Sequence, residues 1–329
     1  MIKVTIDGIE IEVEEGTTIM NAARKVGGKI VPPAMCYYST LKGSGGKCRA
    51  CLVKVTQGSA KDPRPMPKLV ASCSTAAQDG MVVQNITSQE VLDVRRGIVE
   101  MLLVNHPLDC PVCDQAGECE LQNFAFDHGL QRTRSEFPRR EFDIIDIGPH
   151  IKLHMTRCIL CYRCTMVADQ LTDQRVHGVL WRGEKSEIST YIRKAIENDF
   201  SGNMIDVCPV GALTDRHFRF RNRVWFLAPF DAHRHCTKCS GKAVVWLRGD
   251  EVYRVTGRKD EYGEVKDFIC NECRWDHFSK ADWTIEGPRK FETWSVINAN
   301  KYDKETVELP DHLYSKLDNK KWETFEGVT

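Results

Sequence analysis

The residues of this chain best suited to chemistry are its 15 cysteines, and they fall into four packets. Cys36, Cys48, Cys51 and Cys73 form the first, spaced C-x11-C-x2-C-x21-C. Cys110, Cys113 and Cys119 form the second, with His106 four positions ahead of it. Cys158, Cys161, Cys164 and Cys208 form the third, a C-x2-C-x2-C run completed far downstream by a Cys-Pro pair. Cys236, Cys239, Cys270 and Cys273 form the fourth, two C-x2-C corners 30 residues apart. Dense cysteine at short spacing reads as metal ligation in a reducing compartment, because disulfide frameworks belong to oxidising ones. The start of the chain, Met1 to Ile6, alternates like a strand and lacks a charged region followed by an apolar one, so no secretory signal is expected. If one non-cysteine ligand completes the second packet, every packet offers four protein ligands and no thiol is left over. Four-fold ligation suits iron–sulfur clusters and structural zinc alike.

Each packet has its own competing reading. Gly43, Gly45 and Gly46 lead into Cys48 and let backbone N–H groups curl towards an anion. A phosphate loop would need Walker spacing, and here Lys47 is followed by cysteine, so a 2Fe–2S cluster is expected. In the second packet, His106 is the expected fourth ligand of a 4Fe–4S cluster, with His128 the other nearby imidazole. A neutral imidazole in place of a thiolate removes a negative charge and by charge alone raises the potential. The third packet starts like a bacterial ferredoxin run, but Ala168 stands where the next cysteine would fall, so the fourth ligand is Cys208. Pro209 blocks local helix formation there. This spacing favours a 4Fe–4S cluster over a zinc knuckle. The fourth packet fits structural zinc and a 4Fe–4S cluster equally well. No dinucleotide loop, Ser/His/Asp signature or HExxH motif is present, so no catalytic residue is assigned. Asp143 and Asp146 read as solvated surface. Arg216 to Arg221 reads as a surface or partner-facing helix, with an RNA-binding patch as the competing reading.

The elements that must hold these packets are legible in part. Val4, Ile6, Ile11 and Val13 alternate about Asp7-Gly8, a hairpin signal. Thr17 or Thr18 caps a helix through Ile19, Ala22, Ala23 and Val26 that ends at Gly27-Gly28. Leu52–Val55 and Met81–Val83 read as strands, with Pro63, Pro65 and Pro67 stiffening the loop between them. From Ser88 to Asn105 the apolar period is helical, Thr87 and Glu90 make a capping-box pattern, and Pro107 stops the helix. Leu180-Trp181 and Glu187–Ser189 suggest strands, and Tyr191–Asn198 a short helix. Val244–Leu247 and Val252–Val255 flank a turn at Gly249-Asp250. The polar end of the chain reads as an extended arm.

Length bounds the architecture: 329 residues give a soft prior of two to three domains. Lys plus Arg and Asp plus Glu both number 46, which argues against a chain-wide nucleic-acid or anionic-membrane footprint. No apolar run is long enough for a transmembrane helix.

The order of the packets, with His106-Pro-Leu-Asp-Cys-Pro-Val-Cys-Asp-Gln-Ala-Gly-Glu-Cys119 and Gly202-Asn-Met-Ile-Asp-Val-Cys-Pro-Val-Gly-Ala-Leu213, resembles the large iron–sulfur subunit of respiratory complex I. The resemblance runs over about residues 1–280. It implies an α+β, multidomain architecture: a β-grasp 2Fe–2S ferredoxin domain (1–86), a helical His/Cys3 4Fe–4S domain (87–128), a ferredoxin-like 4Fe–4S domain (129–228), a small β module with a four-Cys metal site (229–280) and a polar arm (281–329). It implies electron relay from a flavin-bearing, NADH-oxidising subunit towards downstream iron–sulfur and quinone-site subunits. Membrane contact is then only through the complex, at the cytoplasmic face of a bacterial inner membrane. The sequence departs from the family at two points. Where members with an extra cluster carry a third cysteine, this chain has Ala243, and Cys273 stands where glycine is usual. The chain also stops at Thr329, so the molybdopterin-like domain of the family is expected to be absent. The iron–sulfur subunit on the diaphorase side of an NAD(P)-linked hydrogenase shares the first three packets and is the alternative. A zinc-binding scaffold or RNA-binding module is a more distant one.

Overall fold

The computed structural model describes residues 1–129, 134–172, 177–190 and 195–289. Strands β1 (Ile2–Ile6) and β2 (Ile9–Val13) form an antiparallel hairpin. Asp7 and Gly8 both have positive φ, 48° and 85°, as a tight primed turn requires. Helix α1 (Ile19–Val26) starts at Thr18, whose hydroxyl accepts from the Asn21 amide at 3.2 Å, and ends at Gly27 with φ 79°. Strands β3 (Leu52–Gln57), β4 (Val70–Ala71) and β5 (Met81–Gln84) complete a sheet of order β2-β1-β5-β3-β4, in which only β1 and β5 run parallel. Alternation puts Val4, Ile6, Val13, Val53, Val55, Met81 and Val83 on one face, where they bury against Ile19, Ala22 and Ala23 of α1. Each large side chain so buried contributes about 1.5–3 kcal/mol. One helix laid across this mixed sheet is a β-grasp, and the first cysteine loop emerges between α1 and β3.

Helix α2 (Gln89–Leu103) packs on α3 (Glu120–His128) through Ile98, Val99, Leu121 and Phe124. The capping box expected at Thr87 does not form. Ser88 takes the N-cap position without a side-chain bond, and the Thr87 hydroxyl instead donates to Asp7 at 2.6 Å. The Asp7 carboxylate also accepts from the amides of Asn85, Ile86 and Thr87, so a tertiary contact outcompetes the local cap.

Next in the chain come β6 (Ile144–Asp146), β7 (Ile151–His154), α4 (Arg163–Gln170), the hairpin β8 (His177–Leu180) and β9 (Glu187–Thr190), α5 (Asn203–Val207) and β10 (Leu213–Asp215). Strands β10, β7 and β6 make one antiparallel sheet. The helix expected over 191–198 lies partly outside the described residues, and 195–198 carry no regular structure. The helix expected at Arg216–Arg221 is a run of turns. Asp215 accepts from the His217 amide at 2.8 Å as a helix cap would, but Phe220 has φ 62°, which a helix does not tolerate.

The last unit pairs β11 (Ala228–His233), β12 (Lys242–Arg248) and β13 (Glu251–Thr256), then a short hairpin of β14 (Arg258–Lys259) and β15 (Val265–Asp267), helix α6 (Asn271–Trp275) and β16 (Thr284–Pro288). Its sheet runs β13-β12-β11-β16. Thr284–Pro288 lie in the segment expected to be a polar arm, yet they pair with β11 and bury Trp283 beside them. Residues 290–329 of that arm lie outside the described residues. The units share buried surface: one apolar core takes in Met35, Cys36 and Tyr38, then Leu121 and Phe124, then Leu153, Val167, Val207 and Leu213.

Candidate metal centres

All 15 cysteines are free thiols, so the packets are not cross-linked to one another. Cys36 and Cys48 sit in the loop before β3, Cys51 at its start and Cys73 just after β4, and all four are buried. They are arranged as two pairs. Cys48 donates to Cys36, and the sulfurs of Cys51 and Cys73 are 3.3 Å apart. Backbone amides converge on them: Lys47 and Cys48 donate to Cys36 Sγ at 3.4 and 3.3 Å, and Gly46 donates to Cys73 Sγ at 3.2 Å. Gly45, at φ 98°, suits glycine, and a Cβ there would crowd Cys73 Sγ at 3.1 Å. The Cys48 thiol, then the surrounding amides, hold Cys36 down to about 5, while the same bond pushes Cys48 up, so one sulfur of the pair is held as the thiolate a metal needs. Two thiol pairs beneath an amide cradle fit a two-iron cluster, one pair to each iron.

In the second packet, Cys110 opens the turn after Asp109 and is exposed, while Cys113 and Cys119 are buried, Cys119 immediately ahead of α3. His106 lies just past α2, and its buried Nδ1 has no hydrogen-bond partner. Burial, helped by the Arg157 guanidinium, pushes its pKa down to about 4, so the ring is neutral and able to ligate. An orphaned, neutral imidazole nitrogen four residues ahead of Cys110 fits a His/Cys3 donor set. His128 is also pushed down to about 4, chiefly by burial, and stacks edge-on against Phe124 at 5.3 Å.

The third packet encloses a cavity. Cys158, Cys161, Cys164 and Cys208 line it together with Leu153, Ile159, Ile188, Val210, Ala212 and Leu213. Leu160 and Tyr162, on either side of Cys161, hold φ 54° and 64°, a strain of about 1–3 kcal/mol each that points the cysteine loop inward. The Leu160 amide donates to Cys158 Sγ at 3.3 Å, and the neutral His177 ring places Nε2 3.2 Å from Cys164 Sγ. Burial alone accounts for the His177 pKa of about 4. Burial likewise pushes Cys161 up to about 12, so thiolates here require a cationic centre among them. Four thiols around an apolar cavity fit a buried cluster.

These three centres are contiguous. A Cβ on Gly211, three residues past Cys208, would fall 2.1 Å from Cys113 Sγ. Cys119 Sγ lies 3.7 Å from the carbonyl of Pro209. Arg163, between Cys161 and Cys164 and only 3% exposed, donates to Glu120 at 2.8 Å and to the carbonyls of Ala34, Tyr37 and Val207 at 3.2, 3.1 and 3.4 Å. One guanidinium therefore touches the loops carrying Cys36, Cys119 and Cys208. Neither Arg163 nor His177 stands out in the sequence.

The fourth packet brings Cys236 and Cys239, in the β11–β12 turn, against Cys270 and Cys273 at the start of α6. Among the described residues it is the one group of three or more potential ligand atoms that all lie within 4.8 Å of one another. Ala243 is fully buried within β12, and Cys273 is the residue that completes the group.

Three family descriptions match the chain in order. Residues 1–88 match a 2Fe-2S iron-sulfur cluster binding domain, residues 95–134 an NADH-ubiquinone oxidoreductase-G iron-sulfur binding region, and residues 148–214 the ferredoxin-like domain of NADH-quinone oxidoreductase subunit 3. Among curated proteins, the NADH-quinone oxidoreductase G subunit of Rickettsia bellii is 43% identical over 265 residues, covering 79% of this chain and 37% of its own length. The NADH-ubiquinone oxidoreductase 78 kDa subunit of Candida albicans is 40% identical over 300 residues, covering 89% of this chain and 40% of its own. The chain thus spans well under half the length of the relatives it matches. Among solved structures, a chain of an NAD+-reducing NiFe hydrogenase in the H2-reduced state superposes with a TM-score of 0.58 at 26% identity, over 68% of this chain and 91% of that one. With three successive iron–sulfur regions matched in order and 43% identity to a curated G subunit, the chain belongs to the family of NADH-quinone oxidoreductase G subunits, in their N-terminal iron–sulfur region.

Proposed function

We propose that this chain is an electron relay of an NADH–quinone oxidoreductase, passing electrons from a flavin-bearing, NADH-oxidising partner subunit towards iron–sulfur and quinone-site subunits. In this reading Cys36, Cys48, Cys51 and Cys73 hold a 2Fe–2S cluster. His106, Cys110, Cys113 and Cys119 hold one 4Fe–4S cluster, and Cys158, Cys161, Cys164 and Cys208 a second. Such clusters supply the one-electron chemistry. The chain contributes placement, exclusion of water and N–H···S bonds from Gly46, Lys47, Cys48, Leu160 and His177, which stabilise the more reduced, more negative state. The division at 86, 128, 228 and 280 belongs to the same reading. The chain works as a peripheral subunit on the cytoplasmic face of a bacterial inner membrane. No helix among the described residues is long and apolar enough to cross a membrane.

The observation that carries the reading is contiguity: Arg163 and the Gly211–Cys113 contact place three cysteine centres around one shared core. The test is made in the intact complex. Cys164→Ser and Cys208→Ser should abolish NADH-driven quinone reduction while sparing NADH oxidation by an artificial acceptor at the flavin. Full quinone reduction in both variants would overturn the relay. The likeness to a hydrogenase chain supports the second reading, a diaphorase-side subunit. Hydrogen-dependent NAD+ reduction by the purified complex, without quinone turnover, would select it.

A further inference from the structure

We infer that the four-cysteine group of the last unit is a mononuclear zinc site, a redox-silent clasp rather than a fourth cluster. The sulfur spacing carries the inference. Cys236 Sγ lies 3.7 Å from Cys270 Sγ, Cys239 Sγ lies 3.7 Å from Cys273 Sγ, and all four sulfurs fall within 4.8 Å of one another. A tetrahedral zinc with Zn–S bonds of about 2.3 Å sets its sulfurs about 3.8 Å apart. A cubane cannot fit between sulfurs this close, because its own irons and sulfides must separate them. The groups at Cys36–Cys73, His106–Cys119 and Cys158–Cys208 do not gather their donor atoms within 4.8 Å of one another, although Cys51 and Cys73 alone approach to 3.3 Å, so the contrast lies within a single chain.

The surroundings are those of two metal knuckles facing each other. Each C-x2-C corner wraps an amide back onto its first sulfur. Lys238 donates to Cys236 Sγ at 3.4 Å and Cys273 to Cys270 Sγ at 3.5 Å, while Gly241 donates to Cys239 Sγ at 3.4 Å. Arg234 Nη1 donates to Cys273 Sγ at 3.1 Å, placing a positive charge beside a site whose four thiolates outweigh a divalent ion. Gly241, at φ 67°, lets the first corner close, since a Cβ there would lie 2.0 Å from the Arg234 carbonyl. A single ferrous ion would fit the same tetrahedron, but in an open competition for one site zinc binds more tightly than ferrous iron. The ion would tie the β11–β12 turn to α6, fastening a unit whose own core is small.

The inference stands apart from the relay, since metal content is read without NADH, quinone or any electron donor. The full chain is prepared anaerobically, and zinc and iron are measured by mass spectrometry after chelator washing. One tightly held zinc per chain is expected alongside about ten irons, counting two or four per cluster. Zinc-edge X-ray absorption should show four sulfurs at about 2.3 Å and no neighbouring metal. Cys236→Ser should lose the zinc and keep its iron. If that variant fails to fold, the absorption spectrum of the unaltered protein decides alone. About fourteen irons with no zinc would overturn the inference in favour of a fourth cluster, and about eleven irons with no zinc in favour of a single iron.

Discussion

Arg163→Met removes a side chain that touches the loops of three cysteine centres. Its guanidinium pairs with Glu120 at 2.8 Å and donates to three carbonyls, those of Ala34, Tyr37 and Val207. It also lies over the Tyr38 ring, 5.1 Å from the centroid. Methionine preserves much of the volume and apolar stem, so the loss is electrostatic. Taking away one partner of a buried ion pair costs about 3–5 kcal/mol, and because the Glu120 side chain left behind is 31% exposed the lower end applies here. Each carbonyl left dry adds to this by up to about 1–3 kcal/mol unless it relaxes towards water. We expect a loss of at least about 4 kcal/mol, nearly three decades in the folding equilibrium constant. The assay is urea unfolding followed by bleaching of the visible iron–sulfur absorbance, with iron per chain and the EPR signals measured in parallel. With a slope of a few kcal/mol per molar urea, the midpoint should fall by about 1 M or more. Signals from all three centres should broaden or vanish together. Arg163→Lys keeps the charge but cannot span four acceptors, so it should fall between. A methionine variant with an unchanged midpoint and full iron would refute the reasoning, as would loss confined to the Cys158–Cys208 centre.

Gly211→Ala should disable the second centre selectively. The new Cβ would meet Cys113 Sγ at 2.1 Å, and forced overpacking costs about 1–3 kcal/mol, so roughly four irons should be lost while the first centre keeps its EPR signal. His106→Cys should retain a cluster at that site with a changed EPR spectrum and a lower potential, because a thiolate adds a negative charge; an unchanged spectrum would count against ligation by His106. His177→Phe removes the N–H aimed at Cys164 Sγ, 3.2 Å away, and should lower the potential of the third centre in a redox titration without changing its iron content. No shift in potential would leave the His177 contact without a role in tuning.

The grouping of the cysteines was legible because a metal site would draw two or three donors from one tight loop, so its spacing is written in the sequence. The same locality exposes the β1–β2 hairpin, whose turn needs positive φ at Asp7 and Gly8, and helix α1, bracketed by Thr18 and Gly27. What was not legible is long-range. Arg163 finds Ala34 and Tyr37 across 129 and 126 residues, and nothing local distinguishes it from a surface arginine. The Thr87 hydroxyl is claimed by Asp7, 80 residues away, so a sound capping pattern gives no cap. Arg216–Arg221 reads as a helix, but Phe220 takes a φ of 62° and the segment closes as turns. Spacing alone left the fourth packet open between zinc and a cluster, because the choice depends on how closely the two corners approach in space.

The long-range contacts have a pattern of their own. Arg24 pairs with Glu264 at 2.8 Å, joining α1 to the β14–β15 hairpin, and Arg254 pairs with Glu118 at 2.7 Å, joining β13 to the loop of the second centre. Arg274 pairs with Asp206 at 2.5 Å, joining α6 to the helix that leads into Cys208, while Arg163 and Glu120 join the third centre to the second. Each pair bridges segments that carry different cysteine packets. Buried pairs add little net stability, because desolvation offsets their attraction, but a pair left unmatched is heavily penalised. A docking of these units displaced by even a few ångströms would strand several buried charges at once. Electron transfer between fixed centres depends on separation more than on the last kcal/mol of stability. A chain that spends its buried charges at the seams between its centres, rather than inside the β-grasp core, is suited to holding those separations constant.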